Sequence, residues 1–137
     1  EFYGVFGEVA SLKWNLGLNI YKAYKNNDKD TLKNIITSQI EPLIPLIEKL
    51  KYARMKEWYL TNKSYGFEVL DHRFGGIISR INTTKFVLED YLNGNLDKIE
   101  ELEEGRLPAV HHREEGMGEV LHYNRALRCM TASRMTW

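Results

Sequence analysis

The sequence predicts an all-α fold: a helical bundle of about four to five helices with an irregular C-terminal tail. Three observations predict it. Apolar residues recur at helical spacing through most of the first hundred positions, turn signals rich in Asn and Gly separate these runs, and the periodicity fades after about residue 105. Residues 1–137 are the size of one ordinary domain, enough for one continuous hydrophobic core.

Val9, Leu12, Leu16, Ile20 and Ala23 place a first helix over about 8 to 26. Trp14, Leu18 and Tyr21 form a second apolar stripe on the same segment, and a helix apolar on two faces must be covered on two sides. Asn26-Asn27-Asp28 stops it and caps a second helix through Leu32, Ile35 and Ile36 to about Ser38. Pro42 and Pro45 mark the first turn of a third helix, where a missing N–H would lack a partner anyway. Leu46, Ile47 and Leu50 lie on one of its sides, and Asn62-Lys63-Ser64-Tyr65-Gly66 ends it.

A fourth helix runs from about Phe67 to Leu92 on one long stripe that includes Phe74, Ile77, Ile78, Ile81 and Leu88. At 1.5 Å per residue it would be roughly 39 Å long. Gly75-Gly76 in its interior costs about 1 kcal/mol per Gly in propensity, which predicts the close approach of another backbone or a bulky ring. Asn93-Gly94 is a C-terminal stop. A short acidic helix is expected from Leu96 to Glu104, a loop over 105 to 124, and an ambiguous tail from Arg125 to Trp137.

Composition narrows the partners. Nineteen basic and 19 acidic residues balance to a formal charge of zero, so the concentrated positive field that nucleic acid requires is missing. No apolar run approaches the roughly 20 residues that span a bilayer, so no membrane partner is expected. Cys129 is the only cysteine, which rules out an internal disulfide framework and fits a reducing, cytoplasmic location. The chain opens on Glu1-Phe2-Tyr3-Gly4 without an initiator Met, as an excised fragment would.

Five constellations invite chemistry. His111-His112-Arg113-Glu114-Glu115, with His122, could ligate a metal and support metal-dependent hydrolysis, but the spacing is wrong for a zinc-protease helix and fits a solvated loop better. Cys129 with His122 as base could be a nucleophile, yet a lone Cys beside Leu127 and Met130 reads as a small buried hydrophobe. Glu100, Glu101, Glu103 and Glu104 lack the spaced pattern and turning Gly of a calcium loop and read as a solvated face. Asp71, His72 and Arg73 read first as an ion pair or cap at a helix start, and second as an interface or a substrate-facing group. Trp58 and Tyr59 could stack on a sugar ring, although aromatics at helical spacing are usually core. No Gly-rich phosphate loop and no Gly-x-Ser-x-Gly elbow is present. Accordingly no catalytic residue, metal ligand or cofactor is expected.

Three segments in order carry a family resemblance: Asn62-Lys63-Ser64-Tyr65-Gly66-Phe67-Glu68-Val69 with Asp71-His72-Arg73-Phe74-Gly75-Gly76, then Tyr91-Leu92-Asn93-Gly94, then Glu100-Glu101-Leu102-Glu103-Glu104-Gly105-Arg106-Leu107. This combination resembles the C-terminal helical domain of bacterial β-N-acetylhexosaminidases of glycoside hydrolase family 20. The tail Arg128 to Trp137 is similar to that family's C-terminus as well. Ser64 stands where the family has Pro, Phe67 where it has Trp, and His72 where it has an apolar residue.

The resemblance implies a parent enzyme that removes terminal N-acetylglucosamine or N-acetylgalactosamine with retention, the substrate's acetamido group acting as nucleophile. The family's catalytic Asp-Glu pair belongs to a (β/α)8 barrel of about 250 residues. This chain is too short for that barrel and contains no Asp-Glu dipeptide; Glu89-Asp90 has the reverse order. The expected partner is therefore the catalytic barrel of the same polypeptide, and a homodimer is the second expectation. Trp14, Trp58, Asp71, Arg73, Gly75 and Gly76 are the candidate interdomain or structural residues. The alternative is a free-standing helical protein-interaction module.

Overall fold

A computed structural model describes residues 1–104. Within them the elements are, in order, α1 (Phe2–Lys13), α2 (Leu16–Lys25), α3 (Lys29–Ile35), a π-helical stretch (Ile36–Ile40), α4 (Glu41–Thr61), α5 (Glu68–Leu92) and α6 (Glu100–Glu103). The predicted all-α bundle is the observed fold, and no described helix is long and apolar enough to cross a membrane.

The single first helix is a misreading. Leu12, Leu16 and Ile20 keep their four-residue spacing across a break at Asn15, whose backbone (φ −102°, ψ 3°) leaves the helical region. Asn15 favours a cap position, and Gly17 two residues later weakens helix continuation. The helix also begins at Phe2 rather than near residue 8, because Val5 and Val9 bury one side of α1. In the second stripe Trp14 is 84% exposed and Leu18 42%, so the described residues leave much of both uncovered, while Tyr21 is 37% exposed.

The Asn26-Asn27-Asp28 signal works by geometry. Asn27 takes a left-handed φ of 54°, its amide donates to the Tyr24 carbonyl, and the Asp28 amide donates to the Ala23 carbonyl. That pair of bonds closes a Schellman turn on α2. Asp28 then caps α3, accepting from the Thr31 amide at 2.9 Å and the Thr31 hydroxyl at 2.6 Å, and these bonds hold its carboxyl below the usual range.

No turn separates α3 from α4. The two join through the π stretch, where the Glu41 amide donates to the Ile36 carbonyl five residues back. Pro42 cannot donate, and its ring crowds the carbonyl four residues earlier; a widened turn directly ahead of it relieves that crowding. Pro42 lies in the first turn of α4 as expected, but Pro45 lies inside the helix. The continuous rod carries the centre of the core: Leu32, Ile40, Leu43 and Ile47 are essentially inaccessible, and Leu88 of α5 meets them.

Helix α5 returns antiparallel to α4. Lys85 pairs with Glu41 at 2.7 Å and Lys51 with Asp71 at 2.7 Å, which fixes the register at both ends. The turn between them places Gly66 at φ +98°, where an L side chain is strained, and buries Phe67 against the Trp58 and Tyr59 rings. At the far end, Gly94 (φ +80°) donates to the Tyr91 carbonyl and Asn95 to the Asp90 carbonyl, a second Schellman turn. The expected acidic helix shrinks to α6, because Ile99 is extended and buried.

The close approach predicted at Gly75-Gly76 is not supplied within the described residues: a Cβ at either position meets no atom within 4 Å. Opposite outcomes follow for two glycine substitutions. Gly75→Ala raises the stability of the folded domain by about 0.5–1 kcal/mol through helix propensity, and Gly94→Ala lowers it by about 1–2 kcal/mol through its left-handed φ. Thermal or urea melts of the two variants check both signs.

Candidate functional site

A catalytic carboxylic acid that must stay protonated near neutral pH requires burial or a like-charged neighbour to raise its pKa. Among the described residues no polar or charged residue is buried. The two carboxyls whose pKa is displaced, Asp28 and Glu103, are both pushed down. No group of three His, Cys, Asp or Glu converges there in a way that could hold a metal. The His111–Glu115 cluster, His122 and Cys129 lie outside the described residues.

Each candidate residue has a definite place. Asp71, in the first turn of α5, pairs with Lys51 of α4 and raises the Lys51 ammonium above its usual range. This is the ion pair anticipated at a helix start. Arg73 is exposed and has no hydrogen bond, ion pair or ring contact among the described residues. Trp58 is half-buried: its indole N–H donates to the Lys63 carbonyl at 2.8 Å, its ring meets Phe67 edge-on, and the Arg54 guanidinium lies over it. It anchors the α4–α5 turn. Trp14, at the opposite end of α1 from Phe2, is far from Trp58. Gly75 and Gly76 face outward on α5. The fold thus gathers Trp58, Asp71 and Arg73 around the start of α5 and leaves Trp14 apart.

One polar cluster escaped sequence reasoning. The Tyr24 hydroxyl donates to Glu103 Oε1 at 2.6 Å and accepts from the Ile99 amide at 3.2 Å, while Lys25 Nζ reaches Glu103 Oε2 at 2.9 Å. The Tyr24 ring leans on Tyr91, whose hydroxyl donates to Asn27 Oδ1 at 3.4 Å. The bond to Glu103 lifts the Tyr24 hydroxyl above its ordinary range. The same bond, followed by that from Lys25, holds the Glu103 carboxyl down, and Glu103 in turn raises Lys25. This cluster ties the segment after α5 to the end of α2. It has the character of a clasp, with the acid ionised and the base protonated at neutral pH.

The hollows agree. A groove lined by Ile20, Val87, Leu88, Ile99 and Leu102 encloses about 60 Å³, well short of the roughly 300 Å³ at which small-molecule sites begin. A wider hollow bounded by Lys98, Glu100, Glu103 and Glu104 is an open acidic surface, and its Glu103 is engaged by Tyr24 and Lys25.

Against known families, the model of the Glycoside Hydrolase 20C C-terminal domain matches residues 1–121. The chain belongs to that family. No curated protein matches it. The glycoside hydrolase 20C C-terminal domain is thus represented here by a helical bundle whose described carboxylates serve caps, ion pairs and solvated surface.

The clasp makes a pH-dependent prediction. Glu103 is lowered from 4.5, so its contribution is present above that value and is lost as pH falls through its folded pKa. Lys25 is raised from 10.5 and Tyr24 from 10.0, so theirs is present below those values and is lost as pH rises through the raised ones. The clasp's contribution to stability is therefore level between and declines on both sides, and Glu103→Gln flattens its acid limb. Tyr24→Phe strands the buried Ile99 amide and costs about 1–3 kcal/mol at neutral pH. Denaturant midpoints across the pH range check both statements.

Proposed function

We propose that this chain is the non-catalytic C-terminal domain of a bacterial, cytoplasmic exo-β-N-acetylhexosaminidase. In this reading residues 1–137 form one domain that packs on the (β/α)8 barrel of the same polypeptide and steadies it. The barrel supplies the acid groups that cleave terminal N-acetylglucosamine or N-acetylgalactosamine.

Membership in the 20C C-terminal family carries the reading. Two features of the molecule support it. The described residues hold no buried carboxyl to serve as a general acid, and large apolar side chains stand exposed at one end of the bundle, including Tyr3, Leu60 and Tyr65 at 77%, 83% and 76%. Exposed apolar groups concentrated on one surface mark interaction sites.

An aryl β-N-acetylglucosaminide assay on two proteins tests the reading. The 137-residue chain gives no turnover above a buffer blank, and the complete gene product does. Turnover by the short chain overturns the non-catalytic role; an inactive complete product, or one in which no barrel precedes residue 1, overturns the assignment to a hexosaminidase.

A further inference from the structure

The two ends of the bundle differ in chemistry. At one end the two Schellman turns, Asn93, Asn95 and the Tyr24–Glu103–Lys25 clasp close the helices with polar groups. At the other, where α1 begins, α4 ends and α5 begins, Tyr3, Phe6, Leu60 and Tyr65 are 77%, 52%, 83% and 76% exposed. Tyr59, half of whose surface is exposed, lies in the last turns of α4 and packs on Phe67 at the start of α5. These side chains form a neighbourhood. Phe2 contacts both Tyr3 and Phe6, with ring centroids 5.3 and 6.2 Å away, and Arg54 lies over Phe2 and Trp58 together.

Lys56 faces Glu1 at 3.7 Å and Arg54 pairs with Glu57, while Arg73 near the start of α5 is exposed and has no ion pair among the described residues. What the end offers a partner is therefore apolar surface with a charged rim. Between α1 and α4 it forms a groove of about 250 Å³ lined by Glu1, Phe2, Tyr3, Ala53, Lys56 and Leu60 among others.

Glu1 and Phe2, at the start of α1, line that groove, and this points to the occupant. The family is that of a C-terminal domain, so the polypeptide that precedes the domain enters ahead of α1, beside the groove. A short tether raises the effective concentration of the attached surface over that of any free partner. We propose that the aromatic end, centred on Tyr3, Leu60 and Tyr65, is the face on which the preceding catalytic domain of the same polypeptide is seated. This inference rests on the reading under Proposed function and adds the surface. It also separates the roles of the two exposed tryptophan and leucine sites, since Trp14 lies outside this face.

Photo-cross-linking in the complete gene product tests it. Leu60→p-benzoylphenylalanine places the probe on the aromatic end, and Trp14→p-benzoylphenylalanine places it at the α1–α2 corner. Both positions are largely exposed, so the probes leave the core untouched. The expected result is a cross-link from position 60 to a peptide preceding residue 1, within one polypeptide mass, and none from position 14. A cross-link to that preceding region from position 14 alone overturns the choice of face while leaving domain packing intact. A cross-link from position 60 at twice the polypeptide mass assigns the face to a second copy, and one to residues beyond 104 assigns it to this chain's own tail; either overturns the inference. Cross-links from neither position overturn the packing on the barrel as well.

Discussion

Helices α1, α2 and α5 are all held by the same surface, the row of aliphatic side chains along the α3–α4 rod. Leu32, Ile40, Leu43 and Ile47 are almost wholly removed from water, and α1, α2 and α5 all pack against this rod. Fully burying a side chain of this kind is worth about 1.5–3 kcal/mol. The rod must therefore stay unbroken across two prolines. The π stretch is the local accommodation that keeps Ile36 and Ile40 inward while Pro42 enters the helix.

A core built this way leaves little room for acid–base chemistry. Its polar work is done at the rims: Asp28 capping α3, Asp71 and Glu41 fixing α5 on α4, and Glu103 holding the last described segment to Tyr24. Each of these carboxylates is engaged by a donor or cation, and those of Asp28 and Glu103 are held below the usual carboxylate range by their hydrogen bonds. This distribution suits the proposed non-catalytic role, in which the domain contributes shape and stability rather than reactive groups.

Much of this was legible in the chain itself. Asn93-Gly94 and the Phe74-to-Leu92 stripe located α5 within a residue, because a left-handed Gly after an apolar run has one structural use. The ion-pairing character of Asp71 was readable from its place in a first turn, but its partner Lys51, twenty residues away, was not. The break at Asn15 was hidden because the apolar spacing passes through it unchanged. The π stretch was hidden because a turn widened by one residue alters no residue type. The clasp joins Tyr24 to a Glu 79 positions later inside a run of carboxylates, and such a run reads as solvated surface until the fold brings one member against a buried hydroxyl. The Gly75-Gly76 pair shows the converse: its composition pointed to a close neighbour, and the described residues provide none.

In the proposed reading the described carboxylates act on structure alone. Its most direct test is the kcat of the complete gene product bearing Asp71→Asn and, separately, Glu103→Gln, each measured beside its melting temperature. The account predicts an unchanged kcat with a modest fall in melting temperature. A collapse of kcat in a variant that melts like the parent would contradict it.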